Sequence, residues 1–424
     1  MLIALTMIIC FLIGVPIAFA IGLTGVVAVL SVGTLRMEVV PLMIFNGSMS
    51  FTLIAIPMFI LMGEIMNRSS ISERLIDFGS SLVGFIKGGL GMATILTGTI
   101  MAAISGSSVA TASSLGAVLI PQMNKRGYDK PFATAIVSTS ATISHVIPPS
   151  VGFILYAVSA NVSIGAMFIA GIIPGLCMSI GLVVCVLLYA RYSSIAQVER
   201  FELSNIWKAF KRAFLGLLLP LIVIGGIIGG IFTPTEAGAI GCLYAMFIGV
   251  FIYREVKFVD IIKGLKISAK QTAVVIIMVG TSNLLSFYLT QQRIPAQLAT
   301  LILSMSNNIH IIIFIVSIFL VFAGCFIHGT PMILMLTPIF APLMASMGMN
   351  LVQFGIIMCI AVSIGQVTPP TASVLMVTLG IAEIDVAQIL KPLIPMLIAM
   401  FIVLLMTSYI PPLSLGLLGI FAGR

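Results

Sequence analysis

The sequence predicts an all-α polytopic membrane protein built from two inverted-topology repeats, with about nine spans and two re-entrant hairpins. Three observations lead there. Of its 424 residues, 60% are hydrophobic and only 8% are charged, too few to clothe a globular surface in water. Apolar runs of the ~20 residues needed to cross ~30 Å of hydrocarbon recur along the whole chain. Four proline sites of the first half also return in the second half at one constant offset.

The predicted spans occupy 2–31, 49–66, 132–159, 165–190, 213–232, 234–253, 271–290, 352–380 and 393–410. Two further apolar stretches, 88–123 and 310–345, are each interrupted at the middle by polar residues. Long runs rather than short alternation point to helices, which satisfy their own backbone groups in lipid. The first run lacks a basic leading region and a small-residue cleavage site, so it is expected to be a retained span. Cys10, Cys177, Cys185, Cys242, Cys325 and Cys359 lie scattered in apolar runs without metal or redox spacing, and read as buried thiols. The formal charge of +8 fits the excess of Lys and Arg on cytoplasmic loops better than a polyanionic partner.

The repeat offset is 221 residues. Pro121 returns as Pro342, Pro148 and Pro149 as Pro369 and Pro370, and Pro174 as Pro395. Met123 and Met344, Gly127 and Gly348, Ile143 and Ile364, and Val146 and Val367 follow the same step. Charge then sets orientation. The loop after the first broken stretch carries Lys125, Arg126 and Lys130, whereas its counterpart from Pro342 to Leu351 carries no Lys or Arg, so the two are expected on opposite sides. Placing 67–87, 124–131, 191–212, 254–270 and 381–392 inside puts 17 of the 20 Lys and Arg in the cytoplasm, leaving Arg36, Arg293 and Arg424 outside. That arrangement requires the broken stretches to be re-entrant hairpins. The predicted division is a first repeat at 1–200, a cytoplasmic loop and linking span at 201–232, and a second repeat at 233–424. Inverted repeats mark alternating-access transporters.

The first hairpin should turn at Ser105-Gly106-Ser107-Ser108 and the second at His328-Gly329-Thr330-Pro331, both near mid-membrane. Facing them are the segments 138–150 and 363–371, each holding tandem prolines that remove N–H donors and free carbonyls. Such backbone survives in a membrane only where it lines a protein-enclosed or watery cavity. A lone proline kink is usually only a kink, and small-residue runs often serve helix packing. Packing alone gives no reason for both halves to break at matching places. Free carbonyls and hydroxyls suit a hard monovalent cation, and exposed helix N-termini suit an anion. Mid-span Asp, Glu and Lys, expected of a proton relay, are absent from these segments, which favours sodium coupling. His145 and Gln366 occupy equivalent positions. Glu64 and Glu236, near span ends, read as interfacial or helix-start residues.

The runs SGSSVATASSLG at 105–116, VIPPSVGF at 146–153, FTPTEAGAIG at 232–241 and GQVTPPTASVL at 365–375 resemble motifs of one family. Together with Ile56-Pro57-Met58-Phe59 and Gly63-Glu64-Ile65-Met66, the match spans nearly the whole chain. That family is the large membrane subunit of tripartite ATP-independent periplasmic (TRAP) transporters. The resemblance implies a bacterial inner-membrane protein that imports a small organic anion, of the carboxylate or sialic-acid class, by sodium symport. It implies an elevator mechanism, in which about 88–190 and 310–410 move past the other spans. It further implies two sodium sites, one using Ser105, Ser107, Ser108, Ser144, Val146 and Ile147, the other Gly329, Thr330, Gly365, Val367 and Thr368. Substrate would lie between them near Ser140, His145, Pro149, Gln366 and Pro370. His145 departs from the family pattern, which favours an apolar residue or proline there. Two partners are implied as well: a small four-span membrane subunit and a periplasmic substrate-binding protein.

Three other classes compete. A stand-alone ion-coupled organic-anion symporter would work without a binding protein. A channel would show no gradient-driven accumulation. An intramembrane enzyme would need a metal cluster or a nucleophile and base, and neither is evident. A phosphate-cradling glycine loop with its lysine is also missing, so this chain is not expected to be an enzyme hydrolysing ATP.

Overall fold

The computed structural model describes residues 2–32, 36–193, 202–294, 297, 300 and 308–422, and among them the regular structure is helical without strands. The chain opens with α1 (Leu2–Leu12) and α2 (Ile17–Val32). The run at 2–31, expected as one span, is thus two helices, because Gly14 adopts φ +80° and Pro16 cannot donate to the preceding turn. Next comes α3 (Val39–Ser48), bent by 52° against a 3₁₀ turn at Phe51–Ile54 and α4 (Ala55–Asn67). The segment 67–87, expected as a loop, holds a further helix, α5 (Ile71–Val83). The first hairpin is α6 (Gly89–Ser105) and α7 (Ser108–Lys125). After it, α8 (Lys130–Thr142), a 3₁₀ turn at Ile143–His145 and α9 (Val151–Ala160) form a broken span, followed by α10 (Ile164–Tyr192).

The second half begins after α11 (Leu203–Ile228). It holds α12 (Pro234–Phe247), which runs into a π turn at Ile248–Ile252, and α13 (Phe258–Gln291). Most of the segment 254–270, also expected as a loop, is the first part of α13. The second hairpin is α14 (Ile309–Gly324) and α15 (Gly329–Ser346). Then α16 (Leu351–Gly365) and α17 (Ser373–Ala382) form the second broken span, before α18 (Val386–Tyr409) and α19 (Pro412–Ala422). Among the described residues, six helices have the length and apolarity to cross a membrane, and a seventh if the bent pair counts as one span. The chain is therefore a multi-pass membrane protein. Several predicted spans are cut into two shorter helices, since proline and positive-φ glycine end a helix wherever they fall. The division at residue 200, and Arg200 and Arg424, lie outside the described residues.

Sequence sets the helix starts. Ser163 accepts the Ala166 N–H at 3.2 Å to open α10. Thr233 and Glu236 form a reciprocal capping box at the head of α12, which gives Glu236 the helix-start role expected of it. Glu64 pairs with Arg68 at 3.6 Å one turn along α4.

Two sets of packed helices stand out, joined by contacts of α4 with α6 and of α13 with α15. In one, α13 lies against α2, α3 and α4, and α4 against α12. Glycine makes the approach close: a Cβ on Gly47 would stand 2.6 Å from Asn283 Cβ, and one on Gly25 would stand 2.8 Å from Leu284 Cδ2. In the other group, hairpins and broken spans cross between halves: α7 packs on α17 and α15 on α9, while α18 packs on α8 and α10 on α16. Each half thus completes the other's core.

Candidate functional site at the two helix breaks

The first tip forms because Gly106 takes φ +58° between α6 and α7. Ser107, in extended backbone, caps α7 by accepting the Ala110 N–H at 3.4 Å. A Cβ on Gly106 would stand 2.9 Å from the Pro149 carbonyl oxygen, so the glycine lets the tip lie directly on the first break. At that break, Pro148 and Pro149 lack N–H groups, which leaves the carbonyls of Ser144 and His145 without helical donors. The Ser150 hydroxyl donates to the His145 carbonyl at 3.0 Å. The hydroxyls of Thr111, on α7, and Ser144 lie 3.2 Å apart. Ser105 donates to the Ser107 carbonyl at 3.4 Å, and α4 presses on the tip at Gly63, where a Cβ would stand 2.9 Å from the Ser105 oxygen.

The second break is built the same way. Pro369 and Pro370 leave the carbonyls of Gly365 and Gln366 without helical donors; Thr368 N–H serves the first at 3.1 Å and Val374 N–H the second at 3.2 Å. Both tandem-proline bonds are cis. Thr371 donates its N–H and hydroxyl to the Cys325 carbonyl at 3.1 and 2.6 Å, tying this break to the second hairpin. His328 precedes α15 and its Nδ1 lies 3.0 Å from the Ser373 hydroxyl at the start of α17. α14 and α16 meet at Gly324 and Gly365, where a Cβ on Gly365 would stand 2.4 Å from the Gly324 carbonyl carbon.

The two breaks meet at one pair. Gln366 Nε2 lies 3.2 Å from His145 Nε2, and His145 Nδ1 is hydrogen-bonded to the Ser108 hydroxyl. A Cβ on Gly329 would stand 2.3 Å from Gln366 Nε2 and 3.1 Å from His145 Nε2, so the second tip closes over both. Four helix N-termini therefore converge here: α7 through Ser108, α9 through Ser150, α15 through Gly329 and α17 through Val374. Each carries the partial positive charge of a helix N-terminus. The segments 88–123, 131–159, 309–346 and 351–380 contain no Asp, Glu, Lys or Arg. The helix dipoles thus face the site without a formal counter-charge.

The expected site residues divide as follows. Ser105, Ser107, Ser108, Ser144, His145 and Pro149 gather at the first break, and Gly329, Gly365, Gln366 and Thr368 at the second. Val367 is buried, Thr330 is half-buried, and Pro370 is exposed. The Val146 carbonyl lies against α10, where a Cβ on Gly171 would stand 2.5 Å from it, and Ile147 packs on Gly175 of the same helix. The buried Ser140 hydroxyl is unpartnered, and the Ser140 Cβ lies 2.9 Å from where a Cβ on Gly98 would be. Sequence reasoning passed over Thr111, Ser150, Ser363 and Thr371. Ser363 had a signal: it stands 221 residues after Thr142, whose carbonyl it bonds at 3.0 Å. The oxygen donors at both breaks are neutral hydroxyls and carbonyls, a set that fits a hard monovalent cation. Among the described residues no group of three or more His, Cys, Asp or Glu converges as a metal cluster. A separate cavity of about 460 Å³, which touches the first break at Ile147 and Pro148, is walled almost wholly by carbon and offers an anion nothing.

The chain is similar to known proteins along nearly its whole length. The chain is 39% identical over 413 residues to the protein YgiK of Salmonella typhimurium, covering 97% of this chain and 95% of that one. It is 34% identical over 398 residues to the C4-dicarboxylate TRAP transporter large permease protein DctM of Pseudomonas aeruginosa, covering 94% and 93%. The crystal structure of the Alcanivorax borkumensis YdaH transporter shares the fold, with a TM-score of 0.61 at 12% identity over 90% of this chain and 87% of that one. The family described as tripartite ATP-independent periplasmic transporter, DctM component, matches residues 4–413, and the chain belongs to that family of transporter large permeases.

Proposed function

We propose that this chain imports a small organic anion, of the carboxylate or sialic-acid class, by sodium symport across a bacterial inner membrane. The observation that carries the reading is the meeting of four helix N-termini at His145 and Gln366, in surroundings without a formal negative charge. N-terminal N–H groups bind carboxylates directly. Sodium is written here as a co-transported substrate. Its sites would use the oxygens around Ser105, Ser107, Ser108 and Ser144 in one half and around Gly365 and Thr368 in the other. A cation beside each tip would offset the anion's charge, so that the two substrates bind better together than apart.

Two further parts of the reading rest on symmetry. α7 and α15 begin 221 residues apart, as do α8 and α16, which supports an inverted repeat with a hairpin in each half. The division into two packing groups supports an elevator, with hairpins and broken spans moving past α2, α3, α4, α12 and α13. The named relative from Pseudomonas is a C4-dicarboxylate permease, which supports a carboxylate substrate. Family membership supports a small four-span membrane subunit and a periplasmic binding protein as partners.

The test is uptake of radiolabelled carboxylates into proteoliposomes, with and without a sodium gradient, adding the small subunit and the binding protein separately. Accumulation that needs sodium and both partners is expected. Uptake by this chain alone would replace the tripartite reading with a stand-alone symporter.

A further inference from the structure

The hydrogen-bonded chain at the centre of the site has two unfinished ends. Ser108, His145 and Gln366 are joined by two contacts that use both ring nitrogens of the histidine. Ser108 is 1% exposed and Gln366 is 2% exposed, so neither end is satisfied by bulk water. Gln366 Oε1 is buried without a hydrogen-bond partner. The Ser108 hydroxyl has one partner, His145, and can still donate or accept once more.

A neutral imidazole fixes what the ends offer. With Gln366 Nε2 donating to His145 Nε2, the ring carries its proton on Nδ1 and donates to Ser108. The free ends are then a Ser108 O–H donor and a Gln366 carbonyl acceptor. With the opposite tautomer and the amide turned over, Ser108 donates to Nδ1 and Gln366 accepts from Nε2. The free ends are then a Gln366 N–H donor and a Ser108 acceptor. In both arrangements the ends keep an acceptor that no group of the chain fills, Gln366 Oε1 in the first and the Ser108 oxygen in the second, beside donors that include a Gln366 N–H. A plain carboxylate has acceptors only, and completes one end. A carboxylate bearing a hydroxyl completes both.

Resting on the transport reading above, we infer that Ser108, His145 and Gln366 form a subsite that selects hydroxylated carboxylic acids over their unsubstituted counterparts. The glycine at 329 covers this subsite, so the ligand enters when the second tip lifts. Leaving a buried polar group unpaired is what makes such a site reject the analogue that lacks the hydroxyl.

The test avoids the binding protein, which has its own selectivity. The purified chain in detergent with sodium is titrated with malate against succinate, and with lactate against propionate, following binding by thermal shift and by radioligand retention. The hydroxylated acid of each pair is expected to bind about tenfold to a hundredfold more tightly. In His145→Leu, and in whichever of Gln366→Leu and Ser108→Ala removes the free acceptor, that ratio is expected to fall to within about twofold; Ser108→Thr, which keeps a hydroxyl, is expected to retain it. Ser108→Ala removes a single oxygen and keeps the measurement interpretable if His145→Leu does not fold. Equal affinities in the natural chain, or an unchanged ratio in both folded Ser108→Ala and folded Gln366→Leu, would overturn the inference while leaving sodium-driven transport intact. Absence of binding by all four acids, together with absence of uptake in the complete system, would instead sink the transport reading and this inference with it.

Discussion

Ser363 donates its hydroxyl to the carbonyl of Thr142 at 3.0 Å, and the two residues stand 221 positions apart, the same separation as the His145 and Gln366 pair. Residues related by the repeat offset thus touch each other twice within one turn, so the two halves meet face to face at their breaks. Ser363→Val keeps the volume and removes the donor. It is expected to cost about 1–3 kcal/mol, because the buried Thr142 carbonyl loses a partner. Thermal unfolding in detergent reads this directly, and an unchanged midpoint would mean the contact contributes nothing.

Close backbone approach at the second hairpin predicts a steep difference between glycines. A Cβ on Gly365 would meet the Gly324 carbonyl carbon at 2.4 Å, and backbone cannot swing aside. Gly365→Ala is expected to destabilise by about 1–3 kcal/mol or more. Gly348 has φ +80° but nothing within 4 Å of its would-be Cβ, so Gly348→Ala carries only conformational strain, about 1 kcal/mol. Comparable losses in the two variants would contradict the packing.

Sodium dependence tests the hydroxyl assignments. Ser107→Leu or Thr368→Leu replaces an oxygen with carbon beside each break, and each is expected to raise the sodium concentration for half-maximal uptake at least about tenfold. Sodium titration of uptake in proteoliposomes is the measurement; unchanged activation in both variants would remove these residues from the cation sites.

Outside the spans, Glu255 ties α5 to the end of the π turn. It accepts from Ser70 N–H and the Ser70 hydroxyl at 2.8 Å each, and from Arg74 at 3.0 Å. Burial pushes its carboxyl up, but these hydrogen bonds and the Arg74 charge outweigh it and hold the group below the usual carboxylate range. A depressed value means the folded state prefers the ionised form. Its stabilisation is present above the ordinary carboxylate value and is lost as pH falls through the folded one. Unfolding midpoints measured across that acid range should drop less for Glu255→Gln than for the natural chain.

Orientation is open to labelling. Lys125 and Ser346 are exposed, are related by the offset of 221, and lie at the ends of α7 and α15. Lys125→Cys and Ser346→Cys are expected to react with an impermeant maleimide from opposite faces of the membrane. Reaction from one face would break the inverted-repeat reading.

Much of the architecture was legible before any coordinates. The tandem prolines at 148–149 and 369–370 interrupt helices because proline has no N–H, and no packing can restore it. The glycine at 106 turns a hairpin because it tolerates positive φ. Other features were not legible. The run at 2–31 read as one span since hydropathy counts carbon and does not see that Gly14 and Pro16 act together. The helices α5 and the start of α13 read as loops, because their charges marked a side of the membrane and hid the helical periodicity beneath.

By itself the sequence determined that the chain crosses a membrane many times, that its prolines return at one offset, and where its helices must break, since apolar length, offset and proline are properties of the chain alone. Only the tertiary structure decided that His145 bonds Gln366, that each hairpin packs on the other half's broken span, and that four helix N-termini share one point. Those relations join residues far apart in the chain, and no local propensity reaches that far: they exist because folding brings the two halves into one core.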